Sequence, residues 1–371
     1  MAIKRRQFLQ QSAALLAAPL LGTGTASAAA NRALFLSAFS DRQDQHFVAV
    51  LDDAGVLLQR FKAPSRGHSA CLSRDGRYAV FFARRPGRWM MAVDLAAGQI
   101  RSTVAAVSGR HFFGHGVCSA DGDLLYVTEN DYQNRRGVIG VYETGQLRRI
   151  REMGSFGIEP HELALLSDGN TLVVANGGIE THPDFERRKL NLPSMAPNLA
   201  YIDARSGRLL ERVVPPHHQL SLRHLAVTPD DTVIVGAQYQ GAETDDHPLV
   251  FAHKKGGKLL PLTGQPLASQ RSLTQYIASV TQCGDGKFAL TSAPRGGRVS
   301  LWDVGQQSWI KDFNLPDIGG IAAAADGKSL LLTSGNGAIY SMAIGQWEPE
   351  LLARRENSHW DNHLSAVSPP A

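Results

Sequence analysis

Short apolar runs alternate with polar turns along most of the chain, and one unit recurs. It is an apolar strand, a Ser-x-Asp-Gly turn, a second apolar strand, a variable loop, a third strand often ending in Asp or Glu, a Gly turn and a fourth strand. Residues 67–100 (GHSACLSRDGRYAVFFARRPGRWMMAVDLAAGQI) and 114–149 (GHGVCSADGDLLYVTENDYQNRRGVIGVYETGQLRR) carry it in full. Later copies open at EPHELALLSDGNTLVVANGG, LRHLAVTPDDTVIVGAQY, ASVTQCGDGKFALTSAP and GGIAAAADGKSLLLTSG. The turn aspartates Asp75, Asp121, Asp168, Asp230, Asp285 and Asp326 recur every 41 to 62 residues, at or above the length of a four-stranded blade. The Asp-Gly pairs predict two-residue hairpins, whose central residues take positive φ.

Six full repeats and one split repeat follow. Residues 33–61 supply three strands and lack the innermost, and HLSAVS at 363–368 supplies the missing one. Pairing the two ends closes a ring and removes its open edges. The prediction is all-β: a seven-bladed β-propeller of four-stranded blades, one domain over residues 29–371. The fifth and sixth repeats are the weakest, which leaves six or eight blades as the alternatives.

The first residues, MAIKRRQFLQQSAALLAAPLLGTGTASAAA, differ from the rest. A basic start, an apolar stretch broken by Pro19 and a small-residue site at Ala26-Ser27-Ala28 read as a signal peptide over residues 1–28. Arg5-Arg6-Gln7-Phe8-Leu9 is similar to the twin-arginine consensus, which implies export of the folded chain to the periplasm. The formal charge of +4 includes Lys4, Arg5 and Arg6; without them 35 basic residues face 34 acidic ones. The basic pI therefore carries no argument for nucleic acid. Three cysteines, Cys71, Cys118 and Cys283, cannot all pair, and their apolar surroundings predict buried small hydrophobes.

The repeats share a chemical feature. His68, His115, His161, His224 and His363 all stand near the start of an innermost strand, the strand that lines a propeller's channel. The first four precede their turn aspartates by 7, 6, 7 and 6 residues. A strand alternates faces, so they can share the channel only if bulges correct the register. Glu162 and Asp361 accompany them. Imidazoles suit zinc, copper or iron, and a mixed His/carboxylate set with open positions suits iron. Hydrogen bonding between blades and contact with an organic ligand are the competing roles; local spacings such as Cys-x2-Cys are absent.

Loops between second and third strands reach the same rim: 84–88, 130–136, 238–247 and the long stretch 177–198. A loop of that length in a compact domain is usually functional or disordered, and its Leu190, Leu192, Pro193 and Met195 favour packing across the channel. Arg135, Arg187 and Arg188, with His182 and Glu162, form a candidate ligand set, since guanidinium forks bind carboxylate or phosphate. The intervening Asp131, Glu180, Asp184, Glu243, Asp245 and Asp246 favour a solvated charged rim instead.

The repeat resembles YVTN-type propellers over nearly the whole mature chain. The leader, EPHELALLSDG and ANGGIETHPDFERRKLNLPSMAPNL together resemble the exported propeller family labelled domain of unknown function 1513. That family has no established activity. Its association with periplasmic imelysin-type iron-uptake proteins implies iron handling. Three functions remain open: a periplasmic binding protein in iron or other metal acquisition, a lactonase-like or metal-dependent enzyme with histidine as general base, and a protein–protein interaction platform. No serine-nucleophile elbow, P-loop, dinucleotide fingerprint or haem-attachment motif is present.

Overall fold

A computed structural model of the chain describes residues 33–185 and 188–367. The expected leader, Arg187 and Ser368 lie outside the described residues. Seven four-stranded antiparallel sheets form among them. Blade 1 joins residues 34–63 to the strand His359–Val367. Blades 2 to 7 span 67–105, 110–154, 160–213, 220–261, 279–314 and 318–354. The innermost strands of blades 2 to 7 are Gly67–Leu72, Arg110–Cys118, Pro160–Leu165, Leu220–Val227, Ser279–Cys283 and Ile318–Ala323. Each neighbours the next, and Ile318–Ala323 meets His359–Val367, which meets Gly67–Leu72, so the ring is closed.

Burial explains the strand patterns. Tyr78–Ala83 and Trp89–Asp94 are buried almost throughout because neighbouring blades cover both their faces. The outer strand Leu57–Ala63 alternates between half-buried and exposed, since one face meets solvent. Apolar clusters lie between blades: Phe82 and Met90 of blade 2 pack on Phe112, Leu125 and Tyr142 of blade 3. Cys283 is buried between blades 6 and 7 as expected, whereas Cys71 and Cys118 are only half-buried, packed against the cluster between blades 2 and 3.

Closure follows the sequence pattern. His359–Val367 pairs antiparallel with Leu34–Ser40 as the innermost strand of blade 1. The turn chemistry meets expectation at Asp285-Gly286 of blade 6, where both residues take positive φ, and differs from it in blade 2. Between the first two strands of blade 2 runs a five-residue loop, Ser73 to Arg77, closed by Ser73 N–H donating to Tyr78 O at 2.8 Å. Gly76 has φ +69°, whereas Asp75 stays out of the left-handed region and accepts from Ser73 Oγ and Arg77 N. The aspartate works here as a side-chain acceptor that organises the loop. No helix among the described residues is long and apolar enough to cross a membrane.

Candidate functional site

All five histidines sit on inner strands, and each of those strands carries a register shift against its neighbour. In blade 2, Gly67 pairs with Ala83 and Ala70 with Phe81, leaving one extra residue on the inner strand. Blade 4 shifts between Pro160 and Glu162, and blade 5 between Leu222 and His224. Blades 3 and 1 accommodate two extra residues each, between Phe112 and Gly116 and between Trp360 and Leu364. Of the two inner strands without a histidine, that of blade 6 runs in register and that of blade 7 shifts between Ile318 and Gly320. Bulges re-aim side chains, and here they remove the conflict in the histidine spacing.

The five rings gather in the channel, each 5% exposed or less. Ring centroids lie 4.3 Å apart for His68–His363, and 4.6 Å for His115–His363, His161–His224 and His224–His363. Two overlapping triads have ligand atoms within 4.8 Å of one another: His68/His115/His363 and His115/His161/His224.

What stands behind each ring separates the triads. His68 Nδ1 lies 2.7 Å from Asp361 Oδ1, and the other oxygen of Asp361 accepts from Arg66 and Arg84 at 2.6 and 3.0 Å. Glu162 faces His115 Nδ1 at 3.4 Å and His224 Nδ1 at 3.1 Å. Against the opposing effect of burial, the Arg84 guanidinium, the hydrogen bond from His68 and Arg66 hold the Asp361 carboxyl well below its ordinary range; His115 and His224 do the same for Glu162. An ionised carboxylate accepts a hydrogen bond from Nδ1–H, which leaves the lone pair on Nε2. Nε2 of both His115 and His363 is buried with no hydrogen-bond partner. Burial lowers His68 to about 3 and His224 to about 4, and holds His161 and His363 well below their ordinary value.

His161 is different. Its Nδ1 faces Arg223 Nη1 at 3.4 Å. A guanidinium can only donate, so His161 Nδ1 accepts and its Nε2 carries the proton. A fixed cation beside the ring also opposes a second cation. His68, His115 and His363 therefore fit a metal better than the triad containing His161. Asp361 and Glu162 orient rings from behind, so the mixed His/carboxylate ligand shell of the sequence reading becomes an imidazole shell with carboxylate support.

Above the rings opens a cavity of about 220 Å³, lined at its base by His68, His161 and His224. Its walls carry Arg84, Arg85, Lys189, Arg223 and Arg295. Arg85 and Arg223 both donate to Glu159, at 2.8 and 2.9 Å. Glu159 is fully buried with φ +60°, and also accepts from Ile179 N at 3.2 Å, tying the long loop to the mouth. His182 and Lys189 of that loop line the cavity, as a cap would. Arg135 does not; its side chain is exposed and pairs with Glu180 at 2.6 Å. Arg188 lies over the Phe185 ring and is also absent from the lining. Glu162 and His363 line a second cavity, about 230 Å³, further along the inner strands.

Glu159, Arg223 and Arg295 were not among the sequence candidates. The available signal was a charge beside an inner-strand histidine, in Glu159-Pro160-His161 and Arg223-His224. Strand alternation assigns Arg223 and His224 to opposite faces, and the bulge between Leu222 and His224 overrides it; Glu159 precedes its strand, where alternation predicts nothing.

The sequence profile described as Protein of unknown function (DUF1513) matches residues 61–367. The chain belongs to this family. No curated protein matches this DUF1513 chain. Among solved structures it is similar to Kuenenia stuttgartiensis hydrazine synthase, at 16% identity and TM-score 0.64, covering 83% of this chain and 95% of that one. It is also similar to a functionally unknown protein from Desulfotomaculum acetoxidans DSM 771, at 10% identity and TM-score 0.63, covering 90% and 99%. At these identities the likeness is one of fold.

Proposed function

We propose that this DUF1513 propeller is an exported binding protein that holds one transition-metal ion in its channel through His68, His115 and His363. The observation that carries the reading is the pair of buried, unpartnered Nε2 atoms on His115 and His363. An unpaired polar atom in such a place costs free energy, and a bound cation would remove that cost. His68 adds a ring whose Nδ1 is held by Asp361. Carboxylate behind imidazole is the usual support of a metal-ligating histidine, fixing the tautomer and raising basicity.

Three neutral imidazoles with a further position open suit zinc or copper. Iron sites of the open type use a carboxylate in the ligand shell, and both nearby carboxylates are engaged with Nδ1 atoms. The family's iron association is thus replaced, in this reading, by capture of zinc or copper in the periplasm, where the twin-arginine-like leader would deliver the chain.

The test is metal content by mass spectrometry on mature protein exported and purified without a histidine tag. The expected result is about one equivalent of zinc or copper, because the two triads share His115 and the other one includes His161, whose Nδ1 faces a guanidinium. His115→Ala and His363→Ala should each lose it, and His161→Ala should keep it. Protein that stays metal-free after incubation with each ion overturns the proposal. Metal retained by both His115→Ala and His363→Ala overturns the ligand assignment.

A further inference from the structure

The cavity above the histidines has a charge imbalance that a metal in the ring below would increase. Five cationic side chains line it, and no carboxylate does. Two carboxylates stand behind the wall: Glu159, holding Arg85 and Arg223, and Asp361, holding Arg84. Five positive charges against two negative leave a surplus of three among the described residues. Among the described residues Lys189 and Arg295 have no carboxylate partner: Lys189 Nζ meets Gln240 Oε1, and Arg295 lies 4.1 Å over the Tyr276 ring.

We propose that this mouth binds a small organic polycarboxylate, held between Arg223 and Arg85 on the inner side and Lys189 and Arg295 at the rim. Arg223 supplies an observation separate from the charge count. It is 3% exposed, lines the cavity, and its Nε has no hydrogen-bond partner. A guanidinium carries five N–H donors, of which His161 and Glu159 engage one each on Nη1 and Nη2, and an anion in the cavity can take a further Nη donor. Like charges crowd the same space, and Lys189 is pushed below its ordinary range by burial and by Arg223, Arg295 and Arg85. An anion there relieves repulsion in a site of restricted dielectric, where such interactions are strong.

The lining narrows the class. Gln238, Gln240, Gln275 and Tyr276 bring amide and phenol groups that suit hydroxyls and further carboxylate oxygens. The cations differ in depth, with Arg223 buried and Lys189 and Arg295 exposed at the rim, so an anion with two or more separated carboxylates can meet both levels, whereas a single compact oxyanion meets one at a time. A volume near 220 Å³ lies below the range of drug-sized pockets and restricts the ligand to a small molecule. This goes beyond the metal reading and does not need it, because every group named is present without the ion.

The experiment is calorimetric titration with citrate, acetate and inorganic phosphate. It uses native protein and protein stripped with 1,10-phenanthroline, which carries no carboxylate, then dialysed. Citrate should bind both forms, at least about tenfold more tightly than acetate or phosphate, the margin one additional charge-assisted contact supplies. Lys189→Ala and Arg295→Ala, both at exposed rim positions, should each weaken citrate about tenfold. Arg148→Ala on the outer edge of blade 3 should leave it unchanged. Citrate binding by stripped protein alone supports the anion site even if no metal is ever found. Silence toward millimolar citrate in both forms, or unchanged affinity in both rim variants, overturns the proposal. Phosphate binding as tightly as citrate overturns the polycarboxylate assignment.

Discussion

His68 and Asp361 are 293 residues apart in the chain, and Nδ1 meets Oδ1 at 2.7 Å. The contact exists because the last strand re-enters the ring beside Leu34–Ser40 and borders Gly67–Leu72. Ring closure and site assembly are therefore one event. The strand that removes the open edge also delivers Asp361 and His363.

Asp361→Asn tests this coupling. The carboxylate is buried and serves His68, Arg66 and Arg84 together. Removing one partner of a buried charged cluster costs about 3 kcal/mol or more, with Arg66, the most exposed partner, adding least. Thermal unfolding should show a lower midpoint. If the metal reading holds, affinity measured against a competing chelator should fall about 10–100-fold. An unchanged midpoint would show that closure does not depend on this cluster.

Gly114→Ala probes the bulge that lets His68 and His115 face each other. Gly114 has φ +103°, and a Cβ there would lie 2.5 Å from His68 Cδ2. The strained backbone costs about 1–3 kcal/mol, and the methyl must displace the imidazole. The expected outcome is a lower melting point together with loss of metal. Retention of full metal content would show that His68 tolerates displacement.

Acid should destabilise metal-stripped protein before its carboxylates titrate. His68 is held at about 3, and His111 and His224 at about 4, against an ordinary 6.5, in each case chiefly by burial. Above 6.5 neither folded nor unfolded chain is protonated at these rings. As pH falls through 6.5 the unfolded chain takes up protons that the folded chain refuses, so stability declines down to about pH 4. Glu162 and Asp361, both lowered, extend the decline further. Melting points measured from about pH 7 to about pH 4 should fall steadily; a flat profile would mean the rings are not neutral and buried.

Glu159→Gln should loosen the long loop. Glu159 holds Arg85, Arg223 and the Ile179 amide from a fully buried position. With the charge gone, two guanidiniums face each other without compensation, and Lys189 adds to the repulsion. Limited proteolysis should then cut within residues 177–198 faster than in the parent protein. An unchanged cleavage rate would show that the loop is held by its own apolar packing.

Repeat spacing determined the architecture. Asp-containing turns at blade-like intervals, buried second strands and a strand missing at one end and present at the other were all legible, because these are local patterns repeated along the chain. The recurring position of His68, His115, His161, His224 and His363 was legible for the same reason. Which way each ring points was not. Alternation predicts opposite faces for offsets of six and seven, and only the bulges in five inner strands bring the rings together. The tertiary structure also decided the roles around them. Glu162 and Asp361 support rings; Arg135 and Arg188 lie off the cavity; Glu159, Arg223 and Arg295 shape its mouth. Those roles depend on contacts between blades dozens to hundreds of residues apart, and a period read along one chain carries no distance across a ring.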